Sequence, residues 1–142
     1  MDGSMTWWLG RALLTQRRDN NQWEPPGGVL ELAESIHDGL HREVREETGL
    51  DVEPVTLTGV YKNIPRGIVA LVFRCKVTGG NLTTNDEVAA FRWVNHSDIE
   101  SLMTEAYAVR VLDALEPNHA TTVRNHDGTR VLTDPTDLTP RV

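Results

Sequence analysis

The chain has 142 residues, 39% hydrophobic and 25% charged, with 14 Lys and Arg against 21 Asp and Glu, a net charge of -7 and one cysteine. This suits one domain with its own core and excludes fibrous, collagen-like and wholly disordered classes. The acidic excess argues against nucleic acid polymers and membranes as partners, no apolar run reaches the ~18 residues of a span, no secretion signal opens the chain, and a lone Cys75 fits a reducing cytoplasm.

Residues 1–6 are polar and read as a tag-like start outside the fold. Trp7 to Gln16 reads as one strand and Arg17 to Gln22 as a polar turn. Trp23-Glu24-Pro25-Pro26-Gly27-Gly28 cannot be helical, because the prolines fix φ and remove donors. Ala33 to Thr48 reads as the long helix, with Ser35 as a cap and Gly49 in the place of a terminating glycine. Val55–Lys62, Ile68–Val77 and Ala89–Val94 read as strands. Ser97–Leu115 reads as a second helix, with Ser97 and Glu100 at capping-box spacing and Pro117 as its stop. Thr121–Asn125 and Thr129–Thr133 flank His126-Asp127-Gly128 and predict a hairpin, and the last nine residues look loose. The expected organisation is a domain over 7–117, followed by a hairpin and tail over 118–142.

On a helical wheel Ile36, Leu40 and Val44 form the stripe that should be buried, and Asp38, His41 and Arg45 face water. Glu47 falls inside that stripe, Glu43 at its edge and Glu46 one ridge further round. Most acidic runs are solvated faces, but this wheel puts the solvated face elsewhere. Burying unpaired carboxylates costs several kcal/mol, so a cation should sit among them. One Arg42 falls short of neutralising three acids, and Arg45 points away. The candidate ligands are oxygens, which select magnesium, manganese or calcium. No EF-hand spacing is present, and magnesium held by a few carboxylates usually completes its shell with water and substrate phosphates.

The stretch Gly28-Val-Leu-Glu-Leu-Ala-Glu34, then seven residues to Arg42-Glu43-Val44-Arg45-Glu46-Glu47-Thr48-Gly49-Leu50, resembles the Nudix box. All nine specified positions match, a coincidence expected about once in 10^9 starts at average residue frequencies. The strand, Pro-Gly-Gly loop, helix and later strands resemble the family over about residues 7–115. The resemblance implies an α/β fold with a mixed sheet sandwiched between helices. It implies a hydrolase that cleaves the pyrophosphate bond of a nucleoside diphosphate linked to another moiety, such as ADP-ribose, a nucleotide sugar or a nucleoside triphosphate. It places Mg2+, or Mn2+ in its stead, on Glu43, Glu46 and Glu47, joined by a carbonyl at Gly27 or Gly28 and by a later acid, for which Glu87 is the candidate and Asp86 its rival. By the same resemblance Glu34 and Arg42 are expected to brace the loop and orient the acids, and Glu46, Glu47 or Glu87 to serve as the base. A sensor module that binds a nucleotide without cutting it is the alternative, though no box acid is missing.

Arg17, after Leu13-Leu14-Thr15-Gln16, and Arg66, between Pro65 and Gly67, are candidate phosphate contacts. Pro65 also resembles a cue found in ADP-ribose pyrophosphatases of the family, although a proline beside glycine is commonly just a turn. Trp23 and Trp93 are expected to pack, and His96 and His119 to lie on the surface. Leu13-Leu14-Thr15 echoes a coenzyme A signature whose later phenylalanine-proline is absent. Family domains open with a longer first strand than this chain can supply. Either that strand is short or Trp7–Leu14 makes one longer strand. The apolar edge so left predicts a cover, either the tail hairpin or a second copy in a homodimer.

Overall fold

The computed structural model describes residues 5–8, 10–117 and 120–133, so the loose tail, His119 and most of the opening segment lie outside the described residues. In chain order come β1 (Met5–Trp8), β2 (Arg11–Arg17), β3 (Trp23–Glu24), α1 (Ile36–Thr48), β4 (Leu50–Asn63), β5 (Ile68–Gly80) and β6 (Val88–Val94). A 3-10 turn (His96–Asp98) leads into α2 (Ile99–Leu102), α3 (Glu105–Leu115), β7 (Thr122–His126) and β8 (Val131–Leu132).

The strands follow the order β3-β2-β1-β5-β4-β7-β8, with β6 along the other side of β2. The pairing of β1 with β5 is parallel, with β2 antiparallel, and it joins the two halves of the sheet. Alternation along β2 sends Leu13 to one face and Ala12 and Leu14 to the other. On the Leu13 face, Leu40 and Val44 of α1 pack with Leu50, Val52 and Cys75. On the opposite face, Ala108, Val111 and Ala114 of α3 pack with Tyr61, Ala70, Val72 and Ile99. The sheet therefore lies between α1 and α3, as the resemblance implies. Among the described residues no helix is long and apolar enough to cross a membrane.

Several expectations need correction. Trp7–Gln16 is two strands, not one, because Gly10 turns the chain at φ +75°. The opening strand is thus the short one. The tail hairpin does not cover its edge: β7 pairs with the far edge of β4, from Gly59↔Thr122 to Asn63↔His126. The long helix starts at Ile36, not Ala33, which sits at φ +65°. Ile36 is 42% exposed rather than buried, and Leu30 of the preceding loop packs against Gly39, one turn on. Ser97–Leu115 is broken at Met103, which is extended, so α3 starts afresh after Thr104. The Ser97 capping box does not form: its hydroxyl donates to Asn95 Oδ1 at 3.1 Å.

Candidate active site

α1 is fixed at both ends by its own sequence. Ser35 Oγ accepts from Asp38 N–H at 3.1 Å, and Gly49 closes the helix at φ +82°, which suits a residue without Cβ. This frame sets Glu43, Glu46 and Glu47 beside the loop through Gly27 and Gly28. All five line one cleft of about 540 Å³, with Glu24, Glu87, Arg17 and Arg66. Asp86 does not line it and borders only the neighbouring hollow, so of the two rivals Glu87 is the one set beside the box acids.

Arg42 organises one side of this cleft. Its Nε and Nη2 donate to the two Glu34 oxygens at 2.6 and 2.9 Å, its Nη1 to Glu43 at 2.9 Å and Glu46 at 3.1 Å, and Nη2 also to Val29 O at 3.2 Å. Paired guanidinium and carboxylate geometry of this kind is stiff as well as strong. The Arg42 hydrogen bonds, aided by the Glu31 N–H, hold the Glu34 carboxyl down to about 2, so it stays ionised. Arg42 in turn is held firmly protonated, chiefly by Glu34 and then by Glu43. One arginine thus reaches two of the three box acids and the loop, more than the wheel suggested.

Glu47 turns the other way and accepts from Gly27 N–H at 2.9 Å. Glu43 lies against Gly28, where an added Cβ would stand 2.2 Å from its carboxylate. Glu43 is largely shielded at 17% exposure and Glu46 is open at 61%. The wheel's placing of three acids on the core side therefore holds for Glu43 and Glu47, while Glu46 sits on the outer lip. There its carboxylate accepts from Arg42 Nη1.

Asn85 was not singled out in the sequence, yet it ties the loop before β6 to the end of α1. Its Nδ2 donates to Glu46 O at 3.2 Å and Glu47 O at 2.9 Å, while its Oδ1 accepts from Glu87 N–H and Val88 N–H, both at 2.9 Å. The helix-end carbonyls need such donors, and the arrangement sets Glu87 beside the box acids. Arg17 reaches the cleft but is engaged by Asp19 at 2.8 Å and Glu24 at 3.6 Å, both of which hold it protonated. Arg66 stands in the turn after β4 and lines the cleft. Tyr107, Arg110 and Asn63, also absent from the sequence candidates, line it too. A cue existed for Arg110: it falls at i+4 from Ala106 and i−4 from Ala114, on the buried face of α3.

Trp23 and Trp93 pack against the two core clusters, as expected. Tyr61 is buried and donates to Asp113 Oδ2 at 2.8 Å, and burial chiefly raises its phenol far above the ordinary range. Its role is in the core. His96 is on the surface.

The acids and the peptide carbonyls of the glycine loop are hard oxygen donors, and Gly28 leaves the space a side chain would fill, so their chemistry fits a hard divalent ion. As the side chains stand, no three acidic, histidine or cysteine groups among the described residues converge on one point. Arg42 holds Glu43 and Glu46 instead, and Gly27 holds Glu47.

The NUDIX domain model matches residues 8–115. A MutT-like protein of Streptomyces ambofaciens is 52% identical over 123 residues, which cover 87% of this chain and 79% of that protein. An 8-oxo-dGDP phosphatase of Danio rerio is 43% identical over 72 residues, 51% of this chain but only 22% of that protein. The solved structure of an ADP-ribose pyrophosphatase from Streptococcus suis superposes with a TM-score of 0.72 at 26% identity, covering 88% of this chain and 97% of that one.

Proposed function

The chain belongs to the NUDIX family of hydrolases, and on that premise we propose that it is a magnesium-dependent pyrophosphohydrolase acting on a nucleoside diphosphate linked to another moiety. The supporting observation is that Glu43, Glu46, Glu47 and Glu87 share one cleft with the glycine loop and with Arg17 and Arg66. An acidic protein needs such local cations to receive an anionic substrate.

Glu43, Glu46 and Glu47, with a Gly27 or Gly28 carbonyl and Glu87, would hold the ion. Magnesium bound there, or manganese, would offset charge developing at phosphorus and make an attacking water more acidic. Glu46, Glu47 or Glu87 then takes the proton of the attacking water. Arg42 keeps Glu43 and Glu46 oriented, and Glu34 keeps Arg42 fixed. Gly27 N–H steadies Glu47. Arg17 and Arg66 meet phosphate oxygens on the substrate side. The absence of a Cβ at Gly28 lets the loop backbone lie against Glu43 and close to phosphate. Buried Cys75 suits a reducing compartment, in keeping with a cytoplasmic enzyme.

Relatives named for ADP-ribose and for 8-oxo-dGDP set the first compounds to try. With magnesium present, ADP-ribose, 8-oxo-dGDP, 8-oxo-dGTP, nucleotide sugars and dinucleoside polyphosphates are assayed for released phosphate or nucleotide. Turnover of at least one, with loss of most of it in Glu47→Gln at an unchanged melting temperature, supports the proposal. Binding without cleavage across the whole panel would leave a sensor module in its place.

A further inference from the structure

Arg110 projects from α3 into the cleft, yet the residue is only 6% exposed. A guanidinium taken that far from water ordinarily has a carboxylate partner, because an unpaired buried charge is costly. Asp113, one turn along, is engaged instead by Arg124 at 2.8 Å through both oxygens and by the Tyr61 hydroxyl at 2.8 Å. What surrounds Arg110 is aromatic: its guanidinium lies 4.6 Å from the Tyr107 ring centre and 5.6 Å from that of Tyr61. Its Nε is buried with no hydrogen-bond partner among the described residues.

Its remaining neighbour makes the shortage of acceptors worse. Arg110 Nη2 faces His126 Nε2 at 3.3 Å, while His126 Nδ1 accepts from Gly128 N–H at 3.0 Å. A neutral imidazole has one N–H and one acceptor nitrogen. With Nδ1 as acceptor, the ring proton sits on Nε2 and points at a guanidinium donor. With the other tautomer it points at the Gly128 N–H. Either way this buried group holds one donor too many, and its net charge is positive.

We propose that Arg110, with Tyr107 and Arg66, forms an anion-binding subsite in the cleft that receives a second anionic group of the substrate, a phosphate or carboxylate outside the scissile diphosphate. The inference rests on the pyrophosphohydrolase reading of the same cleft. Arg66 and Tyr107 line both this cleft and the hollow bordered by Thr104 and Gly128, whereas Glu47 and Glu87 line this cleft and a different hollow, bordered by Asp86. An oxyanion there accepts from the exposed part of the Arg110 guanidinium and pairs its buried charge. A neutral sugar or ribose does neither. The protein is thereby expected to favour substrates that carry one more anionic group than the bond it breaks requires.

The test compares matched pairs with magnesium present: a nucleoside triphosphate against its diphosphate, which reads phosphate, and UDP-glucuronate against UDP-glucose, which reads carboxylate. The wild type is expected to favour the anionic member of at least one pair by tenfold or more in kcat/KM. Arg110→Met and Arg110→Gln should bring that ratio close to one, mainly through KM, and Arg110→Lys should keep part of it. Ratios near one in the wild type for both pairs, or unchanged in the variants, overturn the proposal. A separate measurement needs neither turnover nor a variant. In EDTA, inorganic phosphate is titrated into the wild type while the Arg110 Nε–Hε resonance is followed by NMR. A saturable shift supports the subsite, and no shift up to about 50 mM phosphate overturns it. If no compound in the panel is cleaved, the hydrolase reading fails, and this titration still decides the subsite.

Discussion

Replacing Gly28 by alanine separates what the glycine loop does for chemistry from what it does for folding. The new Cβ would stand 2.2 Å from Cδ and Oε2 of Glu43 and 2.4 Å from Oε1. Ordinary contact begins at 3.4 Å, so the carboxylate must retreat from 2.2 Å to at least that distance, a shift of about 1.2 Å. Gly28 does not occupy the left-handed region, so alanine adds no backbone strain. The group that must yield is the tip of a flexible side chain, so the fold is barely taxed, and the melting temperature should stay within about 2 °C of wild type. Misplacing a reacting or ligating group by ~1 Å can cost about 100-fold in rate. The expectation is therefore a fall of about 100-fold in kcat/KM, with a higher magnesium requirement, measured by product release across a magnesium series. Gly79→Ala serves as a control, because its Cβ would meet Asp51 at an ordinary 3.5 Å. Full activity in Gly28→Ala at the wild-type magnesium optimum would refute the claim that this close approach positions Glu43.

Glu34 is held down to about 2 against an ordinary 4.5, so its stabilising pair with Arg42 is fully present above pH 4.5 and lost as pH falls through about 2. The melting-temperature gap between wild type and Glu34→Gln should be flat from pH 7 to 5 and close below 4.5. His126 is pushed below its ordinary 6.5 by burial first and by the Arg110 charge second. The imidazolium is disfavoured in the fold, so this contribution is present above pH 6.5 and is lost as pH falls below it; His126→Gln should flatten the melting-temperature decline below pH 6.5 in a buffer series. Asn85→Ala strips the end carbonyls of α1 of two donors and frees the loop that carries Glu87. It should cost about 1–3 kcal/mol in chemical denaturation and lower kcat tenfold or more.

The sequence made α1 readable because its caps and its period agree. Ser35 and Gly49 mark the ends, and Leu40 and Val44 fall on the buried face. Spacing on one rigid helix placed Glu43 and Glu47 on the core side, whereas the bracing parts of Arg42 and Glu34 came from the resemblance to the Nudix box alone. Strand ends were harder. β4 runs back through Pro54 to Leu50, since the register slips between Pro54 and Thr56 and a proline is tolerated at such a bulge. β5 continues to Gly80, where φ is +81° and an added Cβ would stand 2.2 Å from Gly49 O, so those glycines serve the end of the ladder rather than a turn before it. The break at Met103 carries no glycine or proline, and the apolar period runs on across it. Asn85 and Arg110 were missed because their importance arises from contacts between segments far apart in the chain.

The terminal hairpin lies past residue 115, where the match to the shared domain stops, yet β7 adds to the sheet and His126 touches Arg110 while Gly128 borders the hollow beside Tyr107. The hairpin thereby backs the proposed anion subsite from outside the matched stretch, while Arg66, Tyr107 and Arg110 themselves lie within it. Changing the strand pair after α3 should disturb Arg110 through its His126 neighbour and leave the glutamate helix as it was.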